Sequence, residues 1–335
     1  MSVRRLSEKL LTFENKATIT ADDVYMLRKA AGPKVSASEL ELMDSFVVDY
    51  DGDISLEAQE SLRSMFGLKA ESASSLELVS KPSLKVPEAS GLVALGEGRF
   101  LVADDAKGIY YRDSDGEVSL LLSAKKNKSL RGLEGLCLSE DGGTLYAVSE
   151  DSRKVVSIAL DGDTEPPSLS TPEVLGKLPS LGRTANKGWE GLSFLAADHS
   201  PIDEDCLVAV HEGDPRSIGI FTLPDLEEVE ILTPPTSALR HLSDISDITV
   251  HPETGNLFVL SDESQSVVEL ALTTSLSAGP GALLESTSLE TLHTYKLPLS
   301  KGQKPEGIVF SDESTMFIAC DGSKAMLEMK LHEGN

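Results

Sequence analysis

From residue 76 onward the chain alternates short apolar runs with polar turns, and one alternation recurs five times. Each copy opens on a small motif: Ser90-Gly91-Leu92, Glu134-Gly135-Leu136, Glu190-Gly191-Leu192, Ser246-Asp247-Ile248 and Glu306-Gly307-Ile308. The copies lie 44 to 60 residues apart. A repeat of this period marks one supersecondary unit used several times. Each motif starts an inner strand. A turn and a second apolar run follow, and that run ends in an acid: Asp104, Glu150, Glu212, Asp262 and Asp321. Third strands are expected at 108–112, 154–160, 218–223, 266–272 and 325–331, and fourth strands at 118–122, 174–178, 229–232 and 291–297.

Four antiparallel strands per unit describe a propeller blade. Asp115-Gly116, Asp141-Gly142-Gly143 and Thr254-Gly255-Asn256 supply the tight turns. The fifth unit runs out of chain after three strands, and residues 76–86 are expected to supply the fourth. That closes the ring and leaves no free sheet edge between the first and last blades. The expected fold is therefore an all-β propeller of five four-stranded blades over residues 76–335. Long polar inserts at 161–172, 196–205 and 273–288 are expected to be exposed.

Residues 1–72 have a different texture. Thr20-Ala21-Asp22-Asp23 and Ser36-Ala37-Ser38-Glu39 resemble helix-start capping boxes ahead of helical periodicity. Asp49-Tyr50-Asp51-Gly52-Asp53-Ile54 invites an EF-hand reading, but with Gly52 at the sixth loop position the first ligand and the bidentate Glu are missing, and a frame running from Asp49 to Glu60 misplaces the glycine. A small, all-α, degenerate EF-hand-like module is expected there, binding calcium weakly or not at all.

In a propeller the start of each first strand and the end of each second strand share one face of the disc. Two columns of acids therefore converge on one channel mouth. The inner column is Ser90, Glu134, Glu190, Ser246 and Glu306, with Asp247 in place of a glycine. The outer column is Asp104, Glu150, Glu212, Asp262 and Asp321. Carboxylates crowded around an axis need protons or a cation. Oxygen ligands of this kind suit calcium, and the expected metal residues are Glu134, Glu190, Glu306 and Asp247. Zinc is disfavoured, because His211 and Cys320 are the only soft groups nearby and belong to different blades. Alternatively the acids cap turns and pair with Arg131, Lys187 and Lys304, and for the outer column capping is the expected role. Arg131, Lys187, Arg240 and Lys304 could instead hold an anionic group, and His241 is a candidate for proton transfer.

Composition narrows the partners. Net charge is −25 over 335 residues, which repels nucleic acid and anionic membrane. The three cysteines, Cys137, Cys206 and Cys320, fall in apolar patterns and read as buried free thiols. No run of 18 apolar residues occurs and residues 1–13 show no apolar export core. A cytoplasmic location is expected, or an extracytoplasmic one if a leader was removed.

Taken as a set, the five motifs resemble the SdiA-regulated (YjiK-like) propeller family, and the stretch from Asn186 to Leu192 is also similar to esterase-like phytase domains. The resemblance implies a five-bladed propeller with bound calcium, carried here by Glu134, Glu190 and Glu306. The expectation is a calcium-binding propeller whose acidic mouth takes a small anionic ligand, with ester or phosphoester hydrolysis as a candidate activity. The alternative is a non-catalytic interaction platform with a structural calcium ion.

Overall fold

A computed structural model describes residues 74–332, except 163, 182–187, 280, 281 and 301 and the side chains of 275–285. The helical module expected over residues 1–72, with its Asp49-to-Glu60 loop, lies outside the described residues.

The chain enters on β1 (Ser75–Ser80) and then lays down blades in order. The first holds β2 (Ala89–Gly96), β3 (Arg99–Asp104), β4 (Gly108–Arg112) and β5 (Val118–Ser123). The second holds β6 (Leu133–Leu138), β7 (Thr144–Ser149), β8 (Lys154–Asp161), a two-residue β9 (Ser168–Leu169) and β10 (Glu173–Lys177). The third holds β11 (Trp189–Leu195), β12 (Cys206–His211), β13 (Ser217–Thr222) and β14 (Glu228–Leu232). The fourth holds β15 (Asp247–Val250), β16 (Leu257–Ser261), β17 (Ser266–Gly279) and β18 (Ala282–Lys296). The last holds β19 (Lys304–Phe310), β20 (Thr315–Asp321) and β21 (Ala325–His332), with β1 beside β21 as its fourth strand. Closure is therefore as expected. It is reinforced beyond β1, where Leu84 N–H donates to Lys324 O and Met326 N–H to Pro82 O, each at 2.8–2.9 Å.

The expected insert at 273–288 is different in the structure. β17 and β18 stay paired without a break from Leu270↔Thr291 to Gly279↔Ala282. The residues read as loop are largely Thr and Ser, which tolerate a strand and bond across it. Thr273 faces Ser288, and their hydroxyl oxygens lie 2.9 Å apart. The segment is a ribbon that prolongs the fourth blade.

Five hydrophobic clusters fill the gaps between neighbouring blades. Leu92, Leu136, Leu192, Ile248 and Ile308, each following a motif glycine or Asp247, sit one in each cluster and are all buried. Burying such a side chain stabilises by about 1.5–3 kcal/mol. The glycines are explained by crowding at the axis. A Cβ on Gly135 would lie 2.5 Å from Leu192 N, and one on Gly307 would lie 2.6 Å from Ser90 O. Inner strands thus pack backbone against backbone around a narrow ring, with Gly307 completing the circle against the first blade.

Candidate metal centre

Sequence periodicity alone would turn the motif acids into the sheet. A bulge changes their aim. In β6 the register jumps from Leu133↔Ser149 to Leu136↔Ala147. The same jump occurs at Trp189/Gly191 and Pro305/Gly307. Glu134, Glu190 and Glu306 each sit inside such a bulge, a device that re-aims a side chain. Trp189 is structural: it is fully buried, its Nε1–H donates to Pro179 O at 2.8 Å, and its ring packs edge-on against His211 and Phe221.

Glu134, Glu150 and Glu190 come together so closely that one ligand oxygen from each lies within 4.8 Å of the others. Two come from the inner column of adjacent blades and the third from the outer column. The backbone holds them in place. Glu150 N–H donates to Gly132 O, and Gly188 N–H donates to Glu190 Oε1. A Cβ on Gly188 would lie 2.5 Å from Glu150 Cγ, so glycine there makes room for the Glu150 stem.

Glu306 and Asp247 lie outside this group. Glu306 is on the other side of the ring, where burial first and then Asp262, Asp244 and Asp321 raise its pKa, and Lys304 opposes them. Asp247 is almost fully buried. Its Oδ2 accepts Ile308 N–H at 2.8 Å, so it ties the fourth inner strand to the fifth, and its Oδ1 has no hydrogen-bond partner.

Burial and mutual repulsion push these acids far from their usual range. Burial, with Glu190, Asp105 and Glu150 behind it, raises Glu134 to about 9. Burial and Glu150 raise Glu190 to about 8, against the Gly188 amide. Burial raises Glu306 to about 8. Glu150 and Asp262 shift upward for the same first cause, and burial raises Asp247 well above its usual range, against the Ile308 amide. With pKa values of about 8 to 9, Glu134, Glu190 and Glu306 hold their protons near neutral pH until a cation joins them.

The ladder register revises the outer column in one place. Leu92 pairs with Val102 as Leu136 pairs with Ala147, so Asp104 matches Ser149 and Asp105 matches Glu150. The register places Asp105, with Glu150, Glu212, Asp262 and Asp321, in that column. The doublet Asp104-Asp105 hides the offset in the sequence. Among the rest, Asp321 caps its turn by accepting Gly322 N–H, and Glu212 N–H donates to Gly188 O.

The basic candidates are scattered. Arg131 is exposed, and its carbonyl accepts the Ser149 hydroxyl at 2.6 Å. Lys187 lies outside the described residues. His241 is exposed, just past the helical turn Thr236–Leu239, and its carbonyl accepts the Ser266 hydroxyl. His211, Cys137, Cys206 and Cys320 are buried in their blades, and the cysteines are free. A cavity of about 450 Å³ opens at the far end of the inner strands, against Phe194, His251 and Phe310, away from the acidic groups. Among the described residues, no helix is long and apolar enough to cross a membrane.

These observations define a five-bladed β-propeller with a crowded acidic mouth. The chain belongs to the SdiA-regulated family, whose sequence model matches residues 100–324. No curated protein matches it. Among solved structures it is similar to Myxococcus xanthus glutaminyl cyclase, at 12% identity over 79% of this chain and 100% of that one, with a TM-score of 0.49. It is similar to the PQQ-bound aldose sugar dehydrogenase of Streptomyces coelicolor, at 13% identity over 78% and 100% of the two chains, TM-score 0.46. A calcium structure of a Trichoderma reesei carbohydrate-active enzyme of family AA12 matches at 11% identity over 78% and 96%, TM-score 0.43. At such identities the likeness concerns the fold alone.

Proposed function

We propose that this protein is a calcium-binding propeller whose acidic mouth takes a small anionic ligand, and that ester or phosphoester hydrolysis is its activity. The observation that carries the cation is the meeting of Glu134, Glu150 and Glu190 within 4.8 Å. The donor set fits: all three ligands are hard carboxylate oxygens, and no His or Cys shares the group. Glu134, Glu150 and Glu190 would hold the ion, and Glu306 and Asp247 would add negative potential across the ring. A bound calcium would supply Lewis-acid polarisation of an ester or phosphoryl oxygen.

The hydrolase reading is supported by Glu306. It stays outside the cluster, and burial holds its pKa at about 8. A carboxyl tuned toward neutrality and left free of the cluster is suited to carry a proton. Arg131, exposed on the loop before β6, is the candidate for meeting an anionic group.

Two measurements test the reading. Calorimetric titration of the full chain with calcium should show binding that Glu134→Gln weakens at least tenfold. A screen of aryl esters and phosphoesters should show calcium-dependent turnover that Glu306→Gln removes while calcium affinity stays within a few-fold. Calcium binding with no turnover on any ester would leave the interaction platform as the function. No effect of Glu134→Gln on calcium binding would refute the site.

A further inference from the structure

Beside the Glu134 cluster, the first blade carries acids that its sister blades either replace or supply with donors. At the position of Glu88 the other blades hold Gly132, Gly188, Asp244 and Lys304. Two of them have no charge there, and the fifth supplies a lysine, paired in register with Asp321. Only the fourth blade matches the first in placing an acid there, and it provides donors. Asp244 Oδ1 accepts the Ser261 hydroxyl and, at 3.1 Å, the Glu263 amide, and its Oδ2 accepts the same amide at 3.2 Å.

By register the first-blade counterpart of Ser261 is Asp104. Where the fourth blade sets a hydroxyl against a carboxylate, the first sets one carboxylate against another. Asp105, the counterpart of Asp262, is a third. Oxygens of Glu88, Asp104 and Asp105 all lie within 4.8 Å of one another. Asp104 is 0% exposed. Its Oδ1 accepts Lys107 N–H at 2.8 Å and the Glu88 amide also favours its ionised form, while Oδ2 is buried with no donor in hydrogen-bond geometry. The Lys107 side chain offsets part of the charge on Asp104, while burial and, behind it, Glu88 raise its pKa. A buried carboxylate oxygen with no donor is costly, and the missing partner is positive.

We infer that Glu88, Asp104 and Asp105 form a second cation site, peculiar to the first blade, that takes a hard divalent ion such as calcium. Glu88 leads into β2 and Asp105 follows β3, so the ion would pin the two ends of this hairpin at the mouth. The site shares no residue with the Glu134 cluster, although Asp105 lies near enough to raise the pKa of Glu134.

Calcium stoichiometry by equilibrium dialysis of the full chain separates the two. Asp104→Ser installs the residue that the second and fourth blades use at this position, so the blade has a native precedent for it. The variant should bind one calcium ion fewer than wild type, with an unchanged circular dichroism spectrum. Glu190→Gln should remove a different ion, and the double variant both. Glu88→Gln, at an exposed position, should weaken the same ion at least tenfold and covers the case of an unfolded Asp104→Ser. If folded Asp104→Ser, or Glu88→Gln, binds as many ions as tightly as wild type, the second site is wrong. If Asp104→Ser loses an ion while Glu190→Gln loses none, the second site stands and the Glu134 cluster fails.

Discussion

Gly135 and Glu134 are neighbours with opposite duties. The glycine is there because the next inner strand is too close for any side chain: its Cβ would fall 2.5 Å from Leu192 N and 2.8 Å from Gly191 C. Backbone cannot yield as a flexible side chain can, so Gly135→Ala should cost at least the ~1–3 kcal/mol typical of overpacking. Gly162→Ala, with nothing within 4 Å of its Cβ, should change stability by less than about 0.5 kcal/mol. Urea unfolding of both variants checks the contrast, and equal losses would contradict the close-packed ring. Glu134, by comparison, is a liability in the absence of a cation. Glu134→Gln removes a carboxyl that must take up a proton on folding, and it should raise the melting temperature in chelator while lowering the gain from added calcium. A stabilising change in chelator combined with a loss in calcium is a signature that a purely structural carboxylate would not give.

At the level of strands, closure is the feature with the largest consequence. β1 covers β21, and Leu76 and Leu78 pack against the cluster between the fourth and fifth blades. Deleting residues 75–80 from the full chain would expose the β21 edge, a template for pairing with other chains. The deletion should aggregate in light scattering at concentrations where wild type is monodisperse, and a monodisperse deletion would mean that the hook is dispensable. Both the blade count and this closure could be read from the sequence, because the repeat and the missing fourth strand are written in apolar periodicity. The ribbon at 273–288 could not. Its Ser and Thr serve loops and strands alike, and only pairing decides between them. The site was legible in part for a related reason. The motif spacing located Glu134, Glu190 and Glu306, but the bulges that aim them depend on the partner strand. Glu150 therefore joins Glu134 and Glu190, where spacing alone favoured Glu306. The same dependence on register moves Asp105 into the place expected of Asp104.

Taken across the ring, the acids make folding sensitive to pH and to cations together. Glu134 sits at about 9 and Glu190 and Glu306 at about 8, all above the ordinary value of 4.5. A carboxyl raised on folding contributes stability that is fully present below its unfolded value and lost as pH rises through the folded one. In chelator, then, the melting temperature should fall between about pH 5 and pH 9. Calcium competes with the same protons, so its stabilising effect should grow over that window. Thermal melts across pH, with and without chelator, measure both slopes, and a chelator slope of the opposite sign would contradict the crowding of these acids.

The most direct test compares melting in chelator with melting in millimolar calcium for wild type, Glu190→Gln and Glu212→Gln. An ion at about 100 times its dissociation constant stabilises by ~2.7 kcal/mol, which for a domain of this size is roughly 5–10 °C. Wild type should show that rise. Glu190→Gln should lose the part of the rise due to the Glu134 cluster and keep only what the first-blade site adds, because the amide keeps an oxygen but not the charge. Glu212→Gln, outside the cluster, should keep it nearly whole. Identical melting of wild type in chelator and calcium, or loss of the rise only in Glu212→Gln, would contradict a cation held by Glu134, Glu150 and Glu190.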